Sequence, residues 1–213
     1  MSGNGAEAER FARLRVDYEA MGLRVADLTG DPGAFFDRWF SEAESAGVPE
    51  VNAFSLATAT VDGRPSARVV LMKAHDAEGV TFFTNQRSRK GGEIDANPRV
   101  SGVFHWQPIH RQVRFEGVAS KVPSEVADEY FASRPEGARR SAIASPQSEV
   151  VADRSWLLDR AGAVEELDRP AAWGGYRVVV DTWEFWQGQP NRLHDRVRAA
   201  REGQGWRIER LAP

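Results

Sequence analysis

Apolar residues near the start of the chain recur with helical spacing, whereas beyond residue 50 they mostly alternate as strands do. Phe11, Leu14 and Tyr18 space out a short helix over 11–21 that stops at Gly22. A firmer helix begins at Asp31-Pro32, an N-cap followed by proline at the first helical position. Its Phe35, Phe36, Trp39, Phe40 and Ala43 share one face, and Gly47-Val48-Pro49 closes it. Strand patterns follow over 53–60 and 67–74, joined by the hairpin dipeptide Asp62-Gly63, and then over 80–84 after a turn at Asp76 to Gly79. Ser88 to Ala96 reads as a helix ended by Asn97-Pro98, and 100–106 and 112–121 as two further strands. Helical spacing returns over 124–133 and 148–167, and three strands are expected at 176–180, 183–186 and 206–211.

Six to eight short strands with interspersed helices predict a mainly β chain of the α+β class, a closed or partly closed β-barrel decorated by helices. No repeat, low-complexity stretch or linker divides the chain, so 11–213 is expected to form one domain after a mobile tail over 1–10. At 213 residues such a domain buries about 70% of its unfolded surface and needs no staple.

Charge and composition narrow the chemistry. Lys plus Arg number 28 against 31 Asp plus Glu, a net of −3, which argues against nucleic acid as a bulk partner. The absence of cysteine excludes thiolate metal sites, Fe–S clusters, thiol catalysis and disulfides. No apolar run approaches the ~18 residues of a membrane span, and the polar start lacks a signal-peptide core. A cytoplasmic protein away from membranes is expected. His75, His105 and His110 share no face with a further ligand, so no metal site is expected.

Several segments concentrate functional groups. Arg68-Val69-Val70-Leu71-Met72-Lys73 sets two cations at the ends of an apolar strand, either in water at the strand ends or facing an anion. Thr84 to Gly92 carries Arg87, Arg89 and Lys90 with hydroxyls and glycines where a strand passes into a helix, a junction suited to a phosphate or to plain solvation. Over 111–117, alternation sends Gln112, Arg114 and Glu116 to one face, as in any half-buried strand. Tyr130 and Arg134 lie four apart on one helical face, able to grip an anion, although Arg134 also suits the cap of that helix. Aromatic residues over 183–186 can wall a flat ring. Arg192 and His194, two apart, share a face of an extended chain, unless they sit in a surface turn tied by Asp195.

In order, R-V-V-L-M-K, F-F-T-N-x-x-S-R-K-G, R-Q-V-R-F-E-G, Y-F-x-S-R-P, Q-S, W-G-G-Y-R-V, E-F-W-Q-G, R-L-H-D-R and the final R-L-A-P resemble the pyridoxine/pyridoxamine 5′-phosphate oxidase family from about Leu14 to Pro213. The resemblance implies an FMN-binding split β-barrel, a homodimer with cofactor sites between subunits. It implies FMN contacts from Arg68, Val69, Val70, Leu71, Met72 and Lys73, from Phe83 and Thr84, and from Arg89 and Lys90 at the phosphate. Gln112, Gln147, Ser148, Trp186 and Arg196 complete that set. Substrate phosphate falls to Lys73, Tyr130 and Arg134, with Arg15 and Tyr18 in a segment folding over the substrate, and Arg192 and His194 beside the reacting carbon as the catalytic pair. The implied reaction is oxidation of pyridoxamine or pyridoxine 5′-phosphate to pyridoxal 5′-phosphate, with O2 as acceptor and H2O2 as product.

The chain departs from the family over 136–144. Where relatives carry S-R-P-x-x-S-Q-I-G-A-W-A-S, Ala138 takes the place of the phosphate-binding serine, and Arg139, Arg140 and Ser141 are the residues able to compensate. Phe83 stands where many relatives have Tyr, and the stretch before Trp173 is short, with Pro170 alone. Two alternatives remain: a flavin oxidase acting on another aromatic substrate of the phenazine-precursor type, or a non-catalytic flavin- or pyridoxal-phosphate-binding protein.

Overall fold

A computed structural model describes residues 22–28 and 30–213. The expected tail 1–10, the expected helix over 11–21 and the substrate-covering Arg15 and Tyr18 lie outside the described residues. Eight antiparallel strands form one sheet: β1 (Ala53–Ala59), β2 (Pro65–Asp76), β3 (Gly79–Asn85), β4 (Arg99–Trp106), β5 (Arg111–Lys121), β6 (Trp173–Gln187), β7 (Asp195–Glu202) and β8 (Gly205–Leu211). Their order is β3-β2-β1-β4-β5-β6-β7-β8, and a further β3–β6 pairing closes the first six into a barrel. Closure removes the open edges that an isolated sheet must protect.

The 15-residue β6 makes this closure possible. Its first half pairs with β3 (Phe82 opposite Tyr176), its last part pairs with β7 (Phe185 opposite Val197), and β5 follows its other edge throughout. The sequence pattern split this strand at Asp181-Thr182, but Thr182 stays in the ladder opposite Glu116 and Ala200, with a bulge at Glu116/Gly117 absorbing the irregularity. The pattern also left β7 unread. Its Val197 and Ala199 point inward and are fully buried between alternating arginines that obscure the apolar face.

Helix α1 (Pro32–Ser45) begins as expected: the Asp31 carboxylate accepts from Gly33 N at 3.1 Å. It packs onto the barrel through aromatic rings. Phe36 meets Trp183 at 5.0 Å and Phe104 at 5.3 Å, and Phe35 meets the edge of Phe185 at 4.7 Å. Full burial of each such ring contributes about 1.5–3 kcal/mol. Close packing is set by glycine at Gly102, where a Cβ would fall 2.1 Å from the Phe115 ring.

Four shorter helices follow: α2 (Arg89–Ala96), α3 (Ser124–Ser133), α4 (Glu136–Ala144) and α5 (Arg154–Gly162). The helix expected over 148–167 is confined to α5, because Asp153 caps it by accepting from Trp156 N at 2.8 Å. The preceding chain instead turns at Ser148, whose φ is 79°. Helix α4 was not expected. It starts directly after Pro135, and its apolar residues are too few to give a periodic signal.

Candidate active site

A cavity of about 1210 Å³ opens between β2 and β3 on one side and α2, α3 and α4 on the other. Of the predicted site residues, Arg68, Val69, Val70, Leu71, Lys73, Phe83, Thr84, Arg89, Lys90, Tyr130, Arg134, Gln147 and Ser148 line it. Met72 does not. It is 4% exposed and its side chain belongs to the barrel core, because alternation on β2 turns it away from its neighbours.

One wall is a braced group of cations. Ser88 caps α2, its hydroxyl accepting from Gly91 N, and the chain turns tightly enough that a Cβ on Gly91 would lie 2.0 Å from the Gln86 carbonyl oxygen. This fixes Arg89 and Lys90 at the first turn of α2, where unpaired backbone N–H groups also favour an anion. The Lys90 ammonium donates to Thr84 Oγ1 at 2.9 Å, Gln147 Oε1 at 3.1 Å and Ser88 Oγ at 3.2 Å. None of these partners is charged. Burial, with the nearby Arg68 adding to it, lowers the Lys90 pKa to about 8.

Glu93 holds the rest of this wall. It is 6% exposed, one helical turn after Arg89, whose Nε donates to Glu93 Oε1 at 2.8 Å. Its Oε2 accepts from Thr58 and Ser66, each at 2.5 Å, and lies 3.5 Å from Arg68 Nη2. Burial pushes this carboxyl up, but hydrogen bonds from Ser66, Thr58 and Arg89 outweigh it and hold the pKa at about 2. Arg68 is fixed in turn by donating to Thr58 Oγ1 at 2.6 Å, to the Leu56 carbonyl at 3.2 Å and to Ser66 Oγ. Glu93 and Ser66 went unread in the sequence. The signal for Glu93 was its i+4 spacing from Arg89; for Ser66 there was none.

The opposite wall is aromatic and cationic. Phe83 stacks on Tyr130 with centroids 4.1 Å apart and on Trp173 at 5.6 Å. The Arg134 guanidinium lies over the Trp173 ring at 4.9 Å. Burial lowers the Arg134 pKa, and its Nη1 is buried with no hydrogen-bond partner. A buried guanidinium N–H without an acceptor is costly unless an anion enters the cavity. In the sequence Trp173 opens the motif W-G-G-Y-R-V ahead of the strand expected at 176–180, with no site role.

A third group lies elsewhere. Gln112, Trp186 and Arg196 occupy one cross-strand row on β5, β6 and β7. Arg196 Nε donates to the buried Glu184 at 2.8 Å, and Arg196 Nη1 donates to the Ala212 carbonyl at 2.9 Å. Arg192 and His194 are not on an extended segment. Pro190–Arg192 forms a 3₁₀ turn in which Asn191 and Arg192 have φ of 55° and 61°. His194 Nδ1 accepts from Gln189 N at 3.1 Å, and its ring packs on Trp186 at 4.7 Å. Burial and the neighbouring Arg192 both lower the His194 pKa, favouring the neutral ring. Asp195 ties the turn down, accepting from Leu23 N at 3.0 Å, Gln189 Nε2 at 2.9 Å and Arg210 at 2.5 Å. None of Gln112, Trp186, Arg192, His194 and Arg196 lines the cavity of its own chain.

The pattern for the family described as pyridoxamine 5′-phosphate oxidase matches residues 40–168. The chain belongs to the pyridoxamine 5′-phosphate oxidase family. A second pattern, the pyridoxine 5′-phosphate oxidase C-terminal dimerisation region, matches residues 173–213 and so contains Trp186, Arg192, His194 and Arg196. Among relatives in this family, the pyridoxine/pyridoxamine 5′-phosphate oxidase of Burkholderia multivorans is 50% identical over 211 residues, covering 95% of this chain and 99% of the relative. That of Bordetella pertussis is 51% identical over 207 residues, covering 94% and 98%. Among solved structures, PhzG from Burkholderia lata, in complex with tetrahydrophenazine-1-carboxylic acid, superposes with a TM-score of 0.87 at 32% identity over 93% of this chain and all of that one. A pyridoxamine 5′-phosphate oxidase-related FMN-binding protein from Nostoc punctiforme shares the fold at TM-score 0.69 and 16% identity, over 87% and 99% of the two chains. Among the described residues no helix is long and apolar enough to cross a membrane.

Proposed function

We propose that this protein is an FMN-dependent oxidase that converts pyridoxamine or pyridoxine 5′-phosphate to pyridoxal 5′-phosphate, using O2 and releasing H2O2. The observation that carries this reading is the gathering, in one cavity, of five cations with an aromatic wall: Arg68, Arg89 and Lys90 in the braced group, and Lys73 and Arg134 also lining the space. Two phosphorylated molecules with flat rings suit such a site, and the unpartnered Arg134 Nη1 and uncharged partners of Lys90 leave positive charge for them. Bound FMN would supply the two-electron acceptor. Arg68, Arg89 and Lys90 would hold its phosphate region, with Thr84, Gln147 and Ser148 beside it. Lys73, Tyr130 and Arg134 would hold the substrate phosphate, which fixes the reacting carbon by position.

The catalytic pair would come from a second copy. Arg192 and His194 do not line their own chain's cavity, they fall in the segment matched by the dimerisation region, and Val69 on β2 leaves 65% of its surface exposed at the cavity edge. A homodimer that covers β2 with the β6–β7 corner of its partner would supply Arg192 to position the substrate. His194, neutral with Nδ1 accepting from Gln189 N, carries its proton on Nε2 and would donate from that nitrogen to the substrate nitrogen or hydroxyl, positioning it.

Anaerobic mixing of the FMN-loaded protein with pyridoxamine 5′-phosphate tests the reading. Bleaching of the visible flavin band, with recovery and peroxide on admitting air, is the expected result; a band that persists at saturating substrate overturns it. The likeness to PhzG and the altered wall over 136–144 make a partly reduced phenazine carboxylic acid the second substrate to try.

A further inference from the structure

The substrate side of the cavity contains a hydroxyl that the reading above leaves unused. Ala138, Ser141, Ala142 and Ser145 lie at i, i+3, i+4 and i+7, so one face of α4 and the residue that ends it form a wall of the cavity facing Tyr130 and Arg134. Ala138 offers that wall only a methyl. Neither neighbouring arginine supplies a donor in its place. Arg140 is turned away, held by Glu136 at 2.9 Å and by the Val164 carbonyl, and Arg139 does not line the cavity. Ser133 also borders the cavity and makes a similar exposed bond, to the Tyr130 carbonyl at 2.8 Å, but it ends α3 and is not on the α4 face that carries Ala138.

Ser141 is the hydroxyl nearest Ala138 on that face, one turn after it and one turn before Ser145 at the end of the helix. Its Oγ donates to the Gly137 carbonyl at 2.9 Å, a bond to its own helix in an exposed setting that water can replace. A rotation about χ1 frees the hydroxyl to donate into the cavity. The buried, unpartnered Arg134 Nη1 marks the same region as one that awaits an anion.

We infer that Ser141 is a specificity-determining residue, whose hydroxyl donates to the phosphate ester of the substrate alongside Lys73, Tyr130 and Arg134. This rests on the oxidase reading and deepens it: the phosphate clamp is completed one helical turn beyond Ala138. The ligand class is a phosphate monoester dianion on a small aromatic ring. Replacing Ser141 should weaken phosphate-bearing ligands and spare the same ring without phosphate.

Ser141→Ala removes only an exposed hydroxyl from a helix and raises helix propensity, so the variant should fold. In the FMN-loaded dimer we expect KM for pyridoxamine 5′-phosphate to rise about fivefold to tenfold with kcat little changed. Binding of the product pyridoxal 5′-phosphate should weaken by the same factor and that of pyridoxal not at all. Adding Ala138→Ser to Ser141→Ala should restore most of the loss, because it returns a hydroxyl to the same face one turn earlier. Unchanged KM and product affinity in Ser141→Ala would overturn the assignment, as would equal weakening of pyridoxal. If the wild-type protein fails to oxidise pyridoxamine 5′-phosphate, the oxidase reading itself falls; with wild-type turnover intact, only the role of Ser141 is at stake.

Discussion

The cation wall of the cavity and the Arg192–His194 corner are built on opposite principles. Around Glu93, the positive groups of β2 and α2 are braced within one chain: a buried carboxylate accepts from Thr58, Ser66 and Arg89 and lies close to Arg68. The charges are aimed before any ligand arrives, so little reorganisation accompanies binding. The corner is also tied down, through Asp195 and the His194–Gln189 bond, but nothing in its own chain gives it a substrate to act on. The cations of the cavity wall are thus arranged within the protomer, whereas the proposed catalysis is a property of the assembly.

The largest effect expected is from breaking the brace. Glu93→Ala leaves the buried Thr58 hydroxyl, the half-buried Ser66 hydroxyl and Arg89 without their acceptor and sets Arg68, Arg89 and Lys90 against one another. It should cost about 3 kcal/mol of stability, read by denaturant unfolding, and abolish tight flavin binding. Its acid dependence has a definite sign. With its folded pKa at about 2, below the usual carboxylate value, Glu93 contributes stability that is present above about pH 4.5 and lost as pH falls toward 2. Glu93→Gln should flatten that limb; an unchanged acid limb would show that Glu93 is not the group responsible.

Changes at the corner should leave the cavity wall intact. Arg192→Ala or His194→Ala should lower turnover about a hundredfold while flavin content and unfolding midpoint stay near wild type. Loss of flavin in either variant would contradict the division between the two regions. The sharpest form of the comparison mixes protomers. Arg134→Ala and Arg192→Ala homodimers, each nearly inactive, should regain about a quarter of wild-type activity after co-refolding, since half the dimers are mixed and each mixed dimer holds one intact site. No recovery would place both residues in a site made by one chain.

Smallest is the effect of titrating Lys90. Its folded pKa of about 8 lies below that of the unfolded lysine, so between about pH 8 and 10.4 the unfolded chain binds more protons and apoprotein stability should rise with pH. Flavin affinity should move the other way, falling as Lys90 loses its charge. Lys90→Met should remove both trends; flavin affinity equally steep with pH in that variant would assign the titration to another group.

Local rules were enough for parts of this protein. The Asp31-Pro32 start of α1 with its aromatic face, the Ser88 cap of α2, and the alternation of β1, β4 and β5 all follow from short-range spacing and capping chemistry. The ordered motifs carried the family and most of the cavity-lining residues. Tertiary structure decided the rest. The continuity of β6 through Asp181-Thr182 depends on partners along both its edges, and β7 is a strand because β6 and β8 flank it, not because its arginine-rich sequence says so. Glu93 gained its role only when β1, β2 and α2 converged on one buried point. The separation of Arg192 and His194 from the cavity has the same origin: their spacing of two promises a shared face in an extended chain, but the left-handed turn at Asn191 and Arg192 replaces that geometry. Spacing along a chain sets which groups are near in sequence; which charges are braced, and which lie away from the cavity, depends on long-range pairing that no local pattern encodes.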